Sequence, residues 1–366
     1  MAIGTRLCFS RTRVMTARIE RLRAELDQLG AASFLVSDPV NVLYLTGFES
    51  SNAFVLVKHK QVVLLTDGRY IEAARAVEGV ETMQLERELA ADLGPRLSEL
   101  ADPPVAFEAD VVTVATHRAL AQGGVELVPA TGVVKGLRAV KEEGELDAIR
   151  RSARILNETY ERLAREDLVG RTESEVAWWI EQVLHEEGAD DVSFDPIVGS
   201  GPHAALPHHH PGERTIGRDE LVIVDAGAKV DGYYSDCTRT FATGDLPDQL
   251  RRAYAVCRAA QEAALAQVRA GADARGLDAI ARHEIEESRV AEVLHGLGHG
   301  VGLEIHELPV LRHTADGRLE AGNVVTVEPG VYLPGAGGVR IEDLVIVHED
   351  GAEVLTPFTK DLLTLD

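Results

Sequence analysis

Residues 221–241 read LVIVDAGAKVDGYYSDCTRTF. An apolar run leads into Asp225, and the pair Asp231-Gly232, a strong two-residue hairpin signal, follows it. With those two residues at the turn, Val230 pairs with Tyr233, and counting back places Asp225 opposite Thr238. Asp225 and Asp236 then share one face as diagonal neighbours, about 7–8 Å apart at the backbone. Carboxylates in apolar strands are costly unless something positive compensates them. Two surface aspartates on a hairpin remain the plain alternative, and this pair alone leaves both open.

A second acidic pair lies in residues 323–347, NVVTVEPGVYLPGAGGVRIEDLVIV, at Glu328 and Glu342. Both are flanked by β-branched residues, so both belong in half-buried strands. Arg340 stands two residues from Glu342 on the same face, and a structural ion pair between them is the alternative reading. Between the acidic pairs, residues 295–309 read HGLGHGVGLEIHELP. His295 and His299 have the spacing of two ligands on a helix, but the glycines favour a loop that brings backbone close to a ligand. Four of the 13 histidines fall between 295 and 313, and His208, His209 and His210 are consecutive, crowding that suits a cleft handling protons and cations.

Asp225, Asp236, His299, Glu328 and Glu342 together make a ligand set without cysteine for Mn²⁺, Co²⁺ or Zn²⁺. A two-metal centre lowers the pKa of a bridging water and delivers hydroxide to an electrophile, so hydrolysis is the expected chemistry. No GxSxG, phosphate-loop or dinucleotide motif offers another reaction.

Around these segments the chain repeats an order. Two helices, about 143–166 and 173–187, precede the first acidic pair; two more, in PDQLRRAYAVCRAAQEAALAQVRAG (247–271) and ARGLDAIARHEIEES (274–288), precede the second. Such a duplication sets the two acidic pairs face to face. Upstream, residues 15–135 alternate helical and strand patterns, predicting an α/β domain with a mixed sheet. The first clean amphipathic helix places Ile19, Leu22, Leu26 and Leu29 on one face, which leaves residues 1–14 as a frayed extension or a misplaced start. The second domain begins near Lys141 and runs to 366.

With 37 Lys+Arg against 60 Asp+Glu, the net charge of −23 argues against nucleic acid or an anionic membrane surface as partner. No apolar run reaches the ~18 residues of a membrane span, and the N-terminus lacks the apolar core of a signal peptide. Cys8, Cys237 and Cys257 are odd in number with no CxxC spacing, so no disulfide framework is expected. A cytoplasmic enzyme fits this composition.

The strings VDAGAKVDGYYSDCTRTF, HGLGHGVGLEIHE, TVEPGVY and VRIEDL resemble, in order and spacing, the pita-bread metallopeptidases, specifically the Xaa-Pro branch of prolidase and aminopeptidase P. PVNVLYLTGF and TDGRY extend the likeness to that family's N-terminal domain. The resemblance implies a small creatinase/prolidase-like α/β domain followed by a pseudo-twofold pita-bread domain of α+β type. It implies two divalent ions per chain, Mn²⁺ ahead of Co²⁺ and Zn²⁺. Asp225 would hold one ion, Asp236 and Glu342 would bridge both, and His299 with Glu328 would complete the second.

Glu328 would also shuttle the proton from the nucleophile to the leaving proline nitrogen. His208 would stabilise the tetrahedral intermediate, His306 would contact substrate near the scissile bond, Arg340 would stand beside the metals, and His295 would line the proline pocket. The implied substrates are Xaa-Pro dipeptides or short Xaa-Pro peptides, with a lean to the dipeptide. Aminopeptidase P activity is the alternative, and an inactive binding domain the reading from another class. A homodimer is implied, with the loop near Asp38 directed to the partner's site. One departure concerns specificity: where some prolidases carry a basic residue for the dipeptide carboxylate, this chain has Val310, with Arg312 two positions on.

Overall fold

The computed structural model describes residues 3–366, with side chains from residue 14 onward. The chain divides into two compact units, residues 1–138 and 139–366. The opening helix runs Ile3–Leu29, so the helical backbone starts well before the expected position near Met15. The side-chain pattern that would separate residues 1–14 as an extension, and Cys8 with it, lies outside the described side chains.

The first unit is built on a six-stranded sheet in the order Glu81–Leu85, Val62–Asp67, Ala53–Lys58, Ser33–Val36, Val105–Glu108, Leu127–Ala130. The three central pairings include two antiparallel ones, while the outer strands run parallel to their neighbours, which makes the sheet mixed. The helix Pro39–Thr46 starts where Asp38 accepts the Val40 N–H (2.9 Å) and stops at Gly47, whose φ of 69° suits a residue without Cβ.

The second unit carries four long helices, Glu143–Leu163, Glu173–Glu186, Asp248–Leu265 and Ala274–Ser288. Both expected helix pairs are present, each followed by its own acidic strands. Ile155, Leu156, Tyr160, Val176, Ile180 and Leu184 of the first pair pack on Val222, Val224, Ala226, Cys237 and Phe241. Ala253, Cys257, Ala260, Leu277, Ala281 and Ile285 of the second pack on Val325, Val327, Val339, Ile341 and Val345. Each fully buried Val or Leu contributes about 1.5–3 kcal/mol.

The pleat converts this packing into a site. Successive strand residues point to opposite faces, so if Val224, Cys237, Val327 and Ile341 face helices, then Asp225, Asp236, Glu328 and Glu342 face away from them. The two layers are stitched along those faces: the Glu342 N–H donates to the Thr238 carbonyl (3.1 Å), and the Thr240 hydroxyl donates to the Arg340 carbonyl (2.9 Å). Apolar packing thus drives four acids into the space between the two halves. The duplicated order is the physical reason why they meet.

Candidate metal centre

The hairpin has the register its turn demands. Asp231 and Gly232 adopt φ of 51° and 84°, Val230 pairs with Tyr233, and Asp225 pairs with Thr238. His299 differs from expectation. It lies not in a loop but in the short strand Gly298–Gly300, between Glu307–Leu311 and Val324–Val327. The glycines are needed for that close approach, since a Cβ on Gly298 would come within 2.7 Å of the Thr326 hydroxyl.

Asp236, His299 and Glu342 offer ligand atoms within 4.8 Å of one another. His299 Nε2 is 3.2 Å from Glu328 Oε1 and 3.6 Å from Asp236 Oδ2. The Thr238 hydroxyl donates to Glu342 Oε2 (2.7 Å), leaving Glu342 Oε1 buried without a hydrogen-bond partner. Asp225 Oδ1 is likewise without a hydrogen-bond partner. Arg340 is not the partner of Glu342: its guanidinium donates to Asp225 Oδ2 (2.7 Å), the Thr238 hydroxyl (3.1 Å), the Pro207 carbonyl (3.1 Å) and the Tyr332 hydroxyl (3.0 Å). The reason is reach across the two layers, which puts the guanidinium over the first acidic pair rather than back along its own strand.

The electrostatics are those of a centre built around positive charge. Burial, followed by the charges of Glu342, Asp225 and Glu328, pushes the Asp236 carboxyl well above its ordinary range. Burial and the charges of Glu328 and Asp225 do the same to Glu342. Burial also raises Asp225, although Arg340 opposes it. Glu328 goes the other way: burial raises it, but the hydrogen bond and charge of His299 outweigh that and bring it down to about 2. Divalent cations fit this set. Two buried oxygens lack hydrogen-bond partners, the mutual repulsion needs compensation, and carboxylates with one imidazole suit Mn²⁺, Co²⁺ or Zn²⁺.

A cleft of about 530 Å³ opens on this group, lined by His208, His295, His299, His306, Asp225, Asp236, Glu328, Arg340 and Glu342 among others. Every residue expected at the site is therefore on one cavity wall. The His306 ring meets His299 edge-on at 4.3 Å between centroids, and burial with the His299 charge lowers its pKa. His295 Nε2 is hydrogen-bonded to the Tyr332 hydroxyl (3.0 Å), and Tyr332 is joined to Arg340.

Tyr332, Thr238 and Thr326, whose hydroxyl accepts the His299 N–H (3.1 Å) and donates to Glu328 Oε1 (3.2 Å), escaped the sequence reading. Tyr332 belongs to the quoted TVEPGVY but has no ligand chemistry to mark it. Thr238 had its signal in the hairpin register, which set it opposite Asp225. Arg312 and Val310 also line the cleft, and the Arg312 carbonyl accepts from the Ala315 N–H (2.9 Å), but among the described residues no hydrogen bond or ion pair holds its guanidinium.

Comparison with known proteins places this geometry. The model of metallopeptidase family M24 matches residues 147–349, and that of the creatinase/prolidase N-terminal domain matches residues 18–140. The chain is 34% identical over 357 residues to the probable dipeptidase PepE of Mycobacterium tuberculosis, covering 93% of each. Among solved structures it resembles an Xaa-Pro dipeptidase from Bacillus anthracis, with 36% identity, a TM-score of 0.91, and coverage of 96% of this chain and 100% of that one. It also resembles an X-Pro aminopeptidase from Thermotoga maritima, with 31% identity, a TM-score of 0.83, and coverage of 92% and 98%.

Proposed function

We propose, from the premise that this chain belongs to metallopeptidase family M24, that it hydrolyses the bond before proline in Xaa-Pro dipeptides. Asp225, Asp236, His299, Glu328 and Glu342 would hold two divalent ions, with Mn²⁺ ahead of Co²⁺ and Zn²⁺. When bound, such ions supply Lewis acidity to the scissile carbonyl and bring the pKa of a water toward neutrality.

The chain's own residues do the rest. Glu328, beside His299 (3.2 Å), is the base that takes a proton from the nucleophile and returns it to the proline nitrogen. His208, on the cleft wall, donates to the oxygen that gains charge in the tetrahedral state. His306, with its lowered pKa, is neutral at pH 7 and presents an N–H beside the scissile bond. Arg340 compensates Asp225, and through Tyr332 it fixes His295 at the wall of the proline pocket.

The observation that favours the dipeptide is Arg312. A cleft-lining guanidinium with no protein partner suits a free carboxylate, which it can grip through two parallel hydrogen bonds. A dipeptide ends in that carboxylate directly after proline. The likeness to an X-Pro aminopeptidase supports the alternative, action on longer Xaa-Pro peptides. Kinetics on Xaa-Pro and Xaa-Pro-Yaa-Zaa with Arg312→Gln separate the two. The expected result is a KM for the dipeptide raised about 10- to 100-fold, equivalent to about 1.4–2.8 kcal/mol, with the longer peptide little changed. Equal effects on both substrates would show that Arg312 does not read the dipeptide carboxylate and would remove the ground for preferring the dipeptide. A cytoplasmic homodimer, with the loop near Asp38 reaching the partner's site, completes the reading; among the described residues no helix is long and apolar enough to cross a membrane.

A further inference from the structure

Glu173 opens the helix Glu173–Glu186, and its side chain is fully buried. Five donors surround its carboxylate: the Ser200 N–H (2.8 Å) and hydroxyl (2.7 Å), His203 Nδ1 (3.0 Å), His209 Nε2 (2.8 Å) and the Gly212 N–H (3.4 Å). For both rings to donate, His203 carries its hydrogen on Nδ1 and His209 on Nε2. Glu173, His203 and His209 have the spacing of a metal site. The surroundings oppose a cation, however: the carboxylate sits at a helix N-terminus, and Arg214 hydrogen-bonds the same Ser200 hydroxyl. This is a saturated anion that gathers donors.

What it gathers is one loop. Ser200 and His203 lie before His208 in the chain, and His209 and Gly212 lie after it. The intervening Pro207 carbonyl accepts from Arg340 Nη1 at 3.1 Å. Both neighbours of His208 are therefore anchored, one on Glu173 through a ring and the other on the guanidinium that compensates Asp225. The His208 side chain itself stays exposed on the cleft wall.

We propose that Glu173 is a positioning residue for His208, holding the loop 200–212 so that the imidazole stays where it stabilises the transition state. This rests on the role given to His208 above. Misplacement of a catalytic group by about 1 Å costs up to about 100-fold in rate without changing what binds in the ground state. The effect should therefore fall on kcat rather than KM.

The test is a double-mutant cycle on Xaa-Pro hydrolysis by the Mn²⁺-loaded full chain, with Glu173→Gln, His208→Ala and both together. Glu173→Gln alone is expected to lower kcat about 10- to 100-fold, with KM and bound-metal count at parental values. In the His208→Ala background the same change should lower kcat by no more than about twofold, since the group it positions is gone. Equal losses in both backgrounds would overturn the proposal, as would loss of a metal equivalent in Glu173→Gln, which would make this a cation site. A parental kcat for His208→Ala would remove the premise, and the proposal with it. If Glu173→Gln fails to fold, His203→Gln, a change at the less buried end of the clamp and off the cleft lining, replaces it in the cycle with the same expectations.

Discussion

Asp236→Ala is expected to lower kcat/KM on Xaa-Pro by about 1,000-fold or more, equivalent to at least about 4 kcal/mol of transition-state stabilisation. The number of tightly bound ions should fall from two to one or fewer. Asp236 is buried, stands 3.6 Å from His299 Nε2 and shares a 4.8 Å cluster with Glu342, contacts that the proposed bridging role requires. Metal analysis alongside kinetics checks this, and two retained ions in the variant would refute the bridging role. The same site predicts an inversion in stability. Without cations, burial and the charges of Glu342, Asp225 and Glu328 push the Asp236 carboxyl well up. The ionised form therefore works against folding at neutral pH. Its contribution is most favourable below the unfolded value of about 4 and is lost as pH rises through the raised folded value. Asp236→Asn should melt a few degrees above the parent in chelator and below it in saturating Mn²⁺. Melting below the parent in both conditions would contradict the electrostatic account.

Arg239→Met is expected to destabilise the second unit by about 3–5 kcal/mol, the range for removing one partner of a buried pair. A fall of roughly 10 °C in melting temperature follows for a unit of this size. Arg239 sits between Thr238 and Thr240 on the helix-facing side, 1% exposed. Its guanidinium donates to Asp343 Oδ1 (2.8 Å) and to the carbonyls of Glu342, Thr356 (2.8 Å), Phe358 (2.7 Å) and Thr359 (3.1 Å). It ties the strand behind Asp236 to the strand behind Glu342. Arg239→Lys keeps the charge but not the fork of donors, and an intermediate loss is expected. Calorimetry on the two variants decides, and a loss below about 1 kcal/mol in Arg239→Met would show that the network is not holding the layers.

Asp225, Asp236, Glu328 and Glu342 could be read in the sequence because strand alternation and one Asp-Gly turn are local rules. The duplicated helix-helix-strand order could be read for the same reason, and it foretold that the acids would meet. Partner choice was not local. The spacing leaves an ion pair of Arg340 with Glu342 along its own strand open as an alternative, and the stacking of two layers delivers Arg340 to Asp225 instead. His208, His209 and His210 all line the cleft, yet a glutamate at the start of a distant helix holds the His209 ring through Nε2, which the sequence does not disclose. Tyr332 and Arg239 carry no signature at all. Their roles come from partners many residues away, and only packing discloses such contacts.

The proposed ligands come from both halves of the second unit, Asp225 and Asp236 from one and His299, Glu328 and Glu342 from the other. Ions held by this set would act as fasteners as well as reagents. A link closing a loop of roughly 100 residues removes about 4–5 kcal/mol of freedom from the unfolded chain. Chelation should release that fastening along the seam between the helix pairs before either helix pair melts. Resistance to limited proteolysis in the connection 244–247, between the strand Cys237–Thr243 and the helix Asp248–Leu265, then becomes a gauge of metal occupancy that needs no substrate.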